Sequence, residues 1–470
     1  MIYESENRRI TMVLTGDSLI TRPMSIYDEP DFLALVELLR SADVAVTNAE
    51  MLFHDYENPP TAVPGGTYMQ AHPRIIDELS WMGFSMLASA NNHAYDFGEG
   101  GLLTHVRHLR ESGFAFAGIG RTMGEAREPR YLDTKAGRVA IVSATSSGPA
   151  GLYAQDQWRD GMGRPGANMI RHTTRYTVDR TTLDVLREMR DRLGLHGRQG
   201  FRDHSLGASG LPETEDQFFM GDLHDHWQYV VPNGYQFSVG DEFGRVLVPD
   251  EYDLEQNLQR IHDARRMADW VIVSMHNHEQ GVTVDLPSDV AVRFAHEAID
   301  AGADVFHGHG PHRDRGIEIY KGKPIFYSIG HFIVQNETVA RMPLDNIVRQ
   351  GLDRWESTPA DFFDSRSGRE WMGEWSSHGT NPAAWRDIVA LVEFEGGELV
   401  RVELVPIDLG FRRPRSQRGR PVLAHGDTAR EVLEHFQRLS TPYGTQIDSD
   451  GTRGRVRLEP TESSDRTGGP

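Results

Sequence analysis

The chain of 470 residues contains no cysteine. That excludes a disulfide framework and thiolate chemistry, so any metal must be held by imidazole, carboxylate, amide or water. Basic charge is scarce as well: 49 Lys and Arg stand against 69 Asp and Glu, a formal net charge of -20. Such a balance leaves little room for a basic face and argues against nucleic acid or an anionic membrane as partner. No apolar run is long enough for a signal peptide or a membrane span, and the polar residues 1–9 lead directly into a strand-like segment at 10–15. These observations predict a cytoplasmic protein acting on a small molecule or a peptide, with no nucleic acid and no membrane partner.

What the chain does have is histidine in dense clusters. Val305-Phe306-His307-Gly308-His309-Gly310-Pro311-His312-Arg313-Asp314 follows an apolar run. So do Asn91-Asn92-His93-Ala94-Tyr95-Asp96 and His276-Asn277-His278-Glu279. Three polar loops, each at the end of a predicted strand, suggest one converging site of the kind a metal-assisted enzyme uses. Around them the chain reads as strand, polar loop and helix in repetition. Predicted strands at 11–14, 44–46, 84–88, 139–142, 270–275 and 303–306 alternate with helical patterns at 31–41, 101–112, 254–268 and 288–301. This order predicts an α/β fold with a largely parallel or mixed sheet and ligands at the carboxyl ends of its strands.

Two stretches break the pattern and read as insertions, at about 148–249 and 336–382. A helix at 182–193 and a strand or pocket wall at 227–231, with Trp227 and Tyr229, are predicted within the first. A hairpin is expected at 316–328 around Lys321-Gly322-Lys323, and two closing strands at 388–394 and 399–406. Residues 10–410 are read as the main domain and 411–447 as an extension. The polar, Gly-rich tail from 448 onward predicts disorder.

The succession Gly16-Asp17, Asn48-Ala49-Glu50, Asn91-Asn92-His93 with Asp96 and Gly98, His276 with Glu279, Gly308-His309-Gly310-Pro311-His312, and Pro324-Ile325-Phe326-Tyr327-Ser328-Ile329-Gly330 resembles the capsule-synthesis CapA family, of the calcineurin-like metallophosphoesterase superfamily. The resemblance spans roughly 10–335 and the strands near 388–406. It implies a four-layer αββα sandwich interrupted by the two insertions. It also makes Asp17, Glu50, Asn92, His276 and His309 candidate metal ligands, with His93 as acid or base beside them. The sequence departs from the superfamily pattern in two places: Ser18 and Leu19 follow Asp17 where an Asp-x-His pair is usual, and Gly310 interrupts the double histidine. Both departures favour a single divalent ion, calcium or manganese ahead of zinc, with no organic cofactor.

Two His/Asp pairs stand out, His93 with Asp96 and His312 with Asp314, since a carboxylate can fix the tautomer of a neighbouring imidazole and raise its basicity. Two facing acid/base groups suit a reaction that removes a proton from one side of a carbon and returns it to the other. Some CapA-like proteins are peptide epimerases in ribosomal-peptide pathways, including the lasso-peptide enzyme that inverts a carboxyl-terminal tryptophan, and this chain is similar in type. Epimerisation of a peptide substrate is therefore the leading expectation. The alternative is a metal-dependent hydrolase of phosphoesters or poly-γ-glutamyl amides, and a binding module without chemistry is a third class. Plainer readings compete at several positions. Asp314 suits a turn, His278 and His307 suit support of the ligands, and the His224-Asp225-His226 cluster suits a solvated loop. Trp371 and Trp375 suit one helix face, and Arg22 is a candidate contact for a substrate carboxylate.

Overall fold

Apolar residues occupy both faces of the first strand, Arg9–Leu19, whose residues are buried from Ile10 almost without interruption. A strand buried on two sides must lie between layers. The computed structural model describes residues 9–195, 213–220, 235–367 and 381–458, and shows a mixed α/β fold with several sheets and helices. The expected features at His224 to Tyr229 and at Trp371 and Trp375 lie outside the described residues.

Arg9–Leu19 pairs in parallel with Val44–Ala49, which continues through Met86–Ala88 to Ala115–Ala117. Its other flank is shared. Arg386–Glu395 runs antiparallel along residues 9–14, and His331–Val334 takes over in parallel from Asp17. Glu398–Asp408, Gly454–Val456 and Ile447–Ser449 extend this sheet outward. A second sheet has the order Asp314–Tyr320, Lys323–Ile329, Val305–His309, Trp270–His276, Gly137–Thr145, Arg130–Thr134, its four inner strands parallel.

Three apolar clusters record how these parts pack. Met12, Leu14, Val46 and Ile388 of the first sheet share one cluster with Ile141, Ile272, Val305 and Phe326 of the second. Val13, Ala45 and Leu87, from the other face of the first sheet, join residues of the helices Pro30–Ser41, Ile76–Met82 and Gly98–Ser112. Val142, Val273 and Phe306 of the second sheet join the helices Glu251–Arg265 and Asp289–Asp300.

The first insertion carries its own four-stranded sheet, in the order Gln217–Met220, Tyr235–Val239, His172–Val178, Gly244–Pro249. Beside it lies the helix Arg180–Leu193, capped by the Asp179 side chain on the Thr182 N–H. The tail departs from the expected disorder as far as Val456. Ile447 and Val456 face the core between exposed polar neighbours, so two three-residue strands form in a segment whose composition hides them.

Candidate metal centre

Parallel strands that end on the same side deliver their polar loops to one place. His276 and His309 are the last residues of Trp270–His276 and Val305–His309, side by side in register. Asn48 lies near the end of Val44–Ala49, with Glu50 just beyond, and Asn92 and His93 open the loop after Met86–Ala88. Asp17 is set by an irregularity. The register breaks between Leu14 and Asp17 on one side and between Asp17 and Ser18 on the other, and such breaks re-aim side chains. Gly16 permits this because a Cβ there would lie 2.1 Å from the Gly330 carbonyl oxygen.

Asp17 and Glu50 are both fully buried. Asp17 Oδ1 accepts from Asn48 Nδ2 at 2.7 Å and lies 3.2 Å from His309 Nδ1 and 3.8 Å from His276 Nδ1. Its Oδ2 accepts the Gly310 N–H at 3.0 Å and lies 3.7 Å from His312 Nδ1. Glu50 Oε1 faces three ring nitrogens, His312 Nε2 at 3.7 Å, His276 Nε2 at 3.8 Å and His93 Nε2 at 3.9 Å. Three overlapping groups result: Asp17, His276 and His309; Glu50, His276 and His278; Asp17, Glu50 and His312. A candidate divalent-metal site is thus present.

The electrostatics suit a cation. Burial pushes His276 far below its ordinary value and brings His278 and His331 to about 4 and His307 to about 3, so these rings are neutral at neutral pH. Burial, then the Asp17 and Asp96 carboxylates, pushes Glu50 well above the carboxylate range. For Asp17 burial acts upward, but the His309 contact, followed by His276 and His331, brings its carboxyl below that range. Neither oxygen of Glu50 has a hydrogen-bond partner. A buried carboxylate without hydrogen-bond partners, with the neutral His276 ring beside it, is costly unless a positive ion neutralises it.

Hydrogen bonding also aims lone pairs inward. His307 Nε2 donates to the Thr15 carbonyl at 2.9 Å, so in the neutral ring His307 Nδ1 accepts from Ser274 Oγ at 3.2 Å. Ser274 Oγ then receives the proton on His309 Nε2 at 2.8 Å, and His309 Nδ1 is the ring atom on the side of Asp17. Asn48 Nδ2 lies 3.3 Å from His276 Nδ1, and the Nδ1 atoms of His276 and His309 stand 3.1 Å apart. Two ring nitrogens this close, beside Asp17, fit a shared positive ion.

The residues expected from sequence distribute unevenly. His93 Nδ1 lies 2.7 Å from Asp96 Oδ2, and the Asp96 carboxylate also accepts the Gly65 and Met69 N–H groups at 2.8 and 2.7 Å. Asn92 gives its Nδ2 to the Gly65 carbonyl and keeps a buried Oδ1 without a partner. His312 sits at φ 54°, and its ring comes between Asp17 and Glu50 while stacking on His331 at 4.6 Å. Asp314 departs from its expected pairing with His312. It opens the strand Asp314–Tyr320, where its buried carboxyl meets Asp387 and lies 3.6 Å from His435. The reversal of the chain at His312 is what separates the two. Arg22 also departs, because its guanidinium donates to Thr338 Oγ1 and to the carbonyls of Ser416 and Arg418, binding a loop of its own chain. His278, expected as support, brings Nε2 to 3.0 Å from His276 Nε2. Ser274 and His331 were not foreseen, and Asn48 entered only as part of the Asn48-Ala49-Glu50 motif, without a role. Only the i, i+2 spacing of His307 and His309, which puts both rings on one face of a strand, hinted at a shared partner.

The uncharacterized protein y4sH of Sinorhizobium fredii is 34% identical over 456 residues, covering 95% of this chain and 93% of its own. A probable polyglutamine synthesis accessory protein of Mycobacterium tuberculosis is 26% identical over 268 residues, 57% of this chain and 50% of its own. The PGA biosynthesis protein CapA of Bacillus subtilis is 36% identical over 118 residues, 24% of this chain and 30% of its own. The family of the bacterial capsule synthesis protein PGA_cap matches residues 11–336, a span that holds Asp17, Glu50, His93, His276, His309 and His312, and the chain belongs to that family.

Proposed function

We propose that the chain is a metal-dependent hydrolase of phosphoester or γ-glutamyl amide bonds, built on a calcineurin-like four-layer sandwich. The observation that carries this reading is the Glu50 carboxylate, buried without hydrogen bonds at the meeting point of His93, His276 and His312. Support for the sandwich comes from the three apolar clusters, one between the sheets and one on each outer face. Asp17, Glu50, His276, His278, His309 and His312 would hold the ion, and Asn92 Oδ1, buried without a partner, would be a further oxygen donor. So many imidazoles favour manganese or zinc over the calcium expected from sequence, because calcium prefers oxygen donors. A divalent cation held there supplies Lewis acidity toward a phosphoryl or carbonyl oxygen. The chain's own part is proton transfer. Asp96 fixes the proton of His93 on Nδ1, so Nε2 presents its lone pair to the site, takes a proton from the attacking group and returns it to the leaving group.

Epimerisation of a peptide, the leading expectation from sequence, requires a second base opposite His93. His312 with Asp314 was expected in that role, but its ring nitrogens face Asp17 and Glu50 while Asp314 is engaged by Asp387 and His435. Incubation of the manganese- or zinc-loaded protein in deuterated water with a phosphodiester, a γ-glutamyl peptide and tryptophan-ended peptides separates the two. We expect cleavage that stops on chelation and leaves the α-carbons unlabelled. Deuterium gained at an α-carbon without cleavage would reverse the assignment.

A further inference from the structure

In a chain with a net charge of -20, five arginines fall between 412 and 420. The loop that carries them is bound to the strand leading out of the candidate metal site: the N–H of Val334 donates to the Gly419 carbonyl, and Arg22 donates to the carbonyls of Ser416 and Arg418. Arg418 Nε donates to Glu337 Oε2 at 2.6 Å, and Arg415 Nε lies 3.7 Å from the same oxygen without a hydrogen bond. Arg366, from the helix Pro359–Ser367, has the same carboxylate as a neighbouring charge. Burial lowers its pKa and Glu337 alone acts to raise it. Among the described residues, one carboxylate, 8% exposed, therefore faces three guanidiniums, with Asp364 as a further acid on Arg415.

The cluster is joined to a loop beside the metal site. Arg366 Nη1 donates to Thr67 Oγ1. Thr67 belongs to the loop whose Gly65 binds both Asp96 and Asn92 and whose Gly66 is so near His93 that a Cβ there would lie 3.6 Å from the ring Cε1. Guanidiniums held by packing, short of acceptors and already desolvated, bind oxyanions well, since their forks match a carboxylate or a phosphate and little solvation remains to be lost.

We propose that Arg366, Arg415 and Arg418 form an anion-binding subsite beside the metal centre, which receives a carboxylate or phosphate group of the substrate at a distance from the bond that reacts. The inference rests on the reading of the metal centre as the reaction site, but the subsite binds its anion whether or not turnover is found.

The test is titration of the metal-loaded protein by calorimetry with inorganic phosphate and, separately, with a short γ-glutamyl peptide. The probe that binds more tightly identifies phosphate or carboxylate as the favoured group. Arg366→Gln and Arg415→Gln together should weaken that probe by about tenfold or more with metal content unchanged. Arg366→Lys, which keeps the charge, should retain most of the binding and also shows that position 366 tolerates replacement. Asp17→Asn, which removes a metal ligand, should abolish turnover and leave probe binding in place. Equal affinity in the wild type and the double variant would overturn the subsite, as would probe binding that disappears on chelation.

Discussion

At the scale of single residues, the centre depends on where lone pairs point. Ser274 contributes nothing to the ring of candidate ligands, yet it fixes which nitrogen of His309 carries the proton. Ser274→Ala should leave the fold intact and weaken metal binding by about 10- to 100-fold, the usual cost of losing such an orienting partner. Competition against a chelating dye measures this, and an unchanged affinity would show that His309 selects its tautomer unaided. Asp17, Glu50, His276 and His309 entered as ligands through the resemblance to the CapA family, and each also follows an apolar run that marks a strand end. His278 was expected as support and His312 as an acid or base, neither as a ligand. Alternation along a strand predicts that residues 276 and 278 share a face only while the strand continues, and it stops at His276. The place of His312 follows from a left-handed backbone that a β-carbon-bearing residue seldom adopts and no local pattern announces.

At the scale of elements, one buried carboxylate gathers several of the contacts that bind the first insertion to the core. Asp253, fully buried near the start of Glu251–Arg265, accepts Arg127 Nη2 and Arg171 Nε, each at 2.7 Å, and the Tyr153 hydroxyl at 3.0 Å. Arg171 directly precedes the inserted sheet and Tyr153 lies in its approach. Asp253→Asn leaves two guanidiniums facing a neutral amide and should cost about 3–5 kcal/mol of stability. Urea unfolding followed by tryptophan fluorescence would register it, and a loss below about 1 kcal/mol would mean that packing, not this carboxylate, holds the insertion. The helices and the inner strands were readable from periodicity because each has one or two well-defined buried faces. The hairpins were readable from Lys321-Gly322 and Gly396-Gly397, whose positive φ angles of 50°, 74°, 60° and 87° suit the tight turn that matches strand twist. The inserted sheet was not readable, because most residues of His172–Val178 are half-exposed on both faces and leave no alternation to detect.

For the molecule as a whole, acid should be destabilising well before its carboxylates titrate. Burial holds His54 at about 4 and His105 at about 3, both away from the metal centre. In the unfolded chain each takes a proton near the ordinary value of about 6.5. Between these limits the unfolded state binds more protons than the folded one. The stability contributed by the two neutral rings is therefore complete above about pH 6.5 and falls as the pH drops through 4 and 3, by at most about 1.4 kcal/mol per pH unit for each ring. His105→Gln should flatten the dependence of melting temperature on pH across this window, and an unaltered slope would show that other groups set it. The same integration across distance governs the architecture. The family match closes at residue 336, yet Arg386–Glu395 lies hydrogen-bonded along the strand that carries Asp17, and Asp387 holds the N–H of His331 at 2.8 Å. The recognisable portion is for that reason not a transplantable cassette. A recombination event that cut the gene behind it would hand its new host a central strand with a bare flank, a template for aggregation instead of a catalyst.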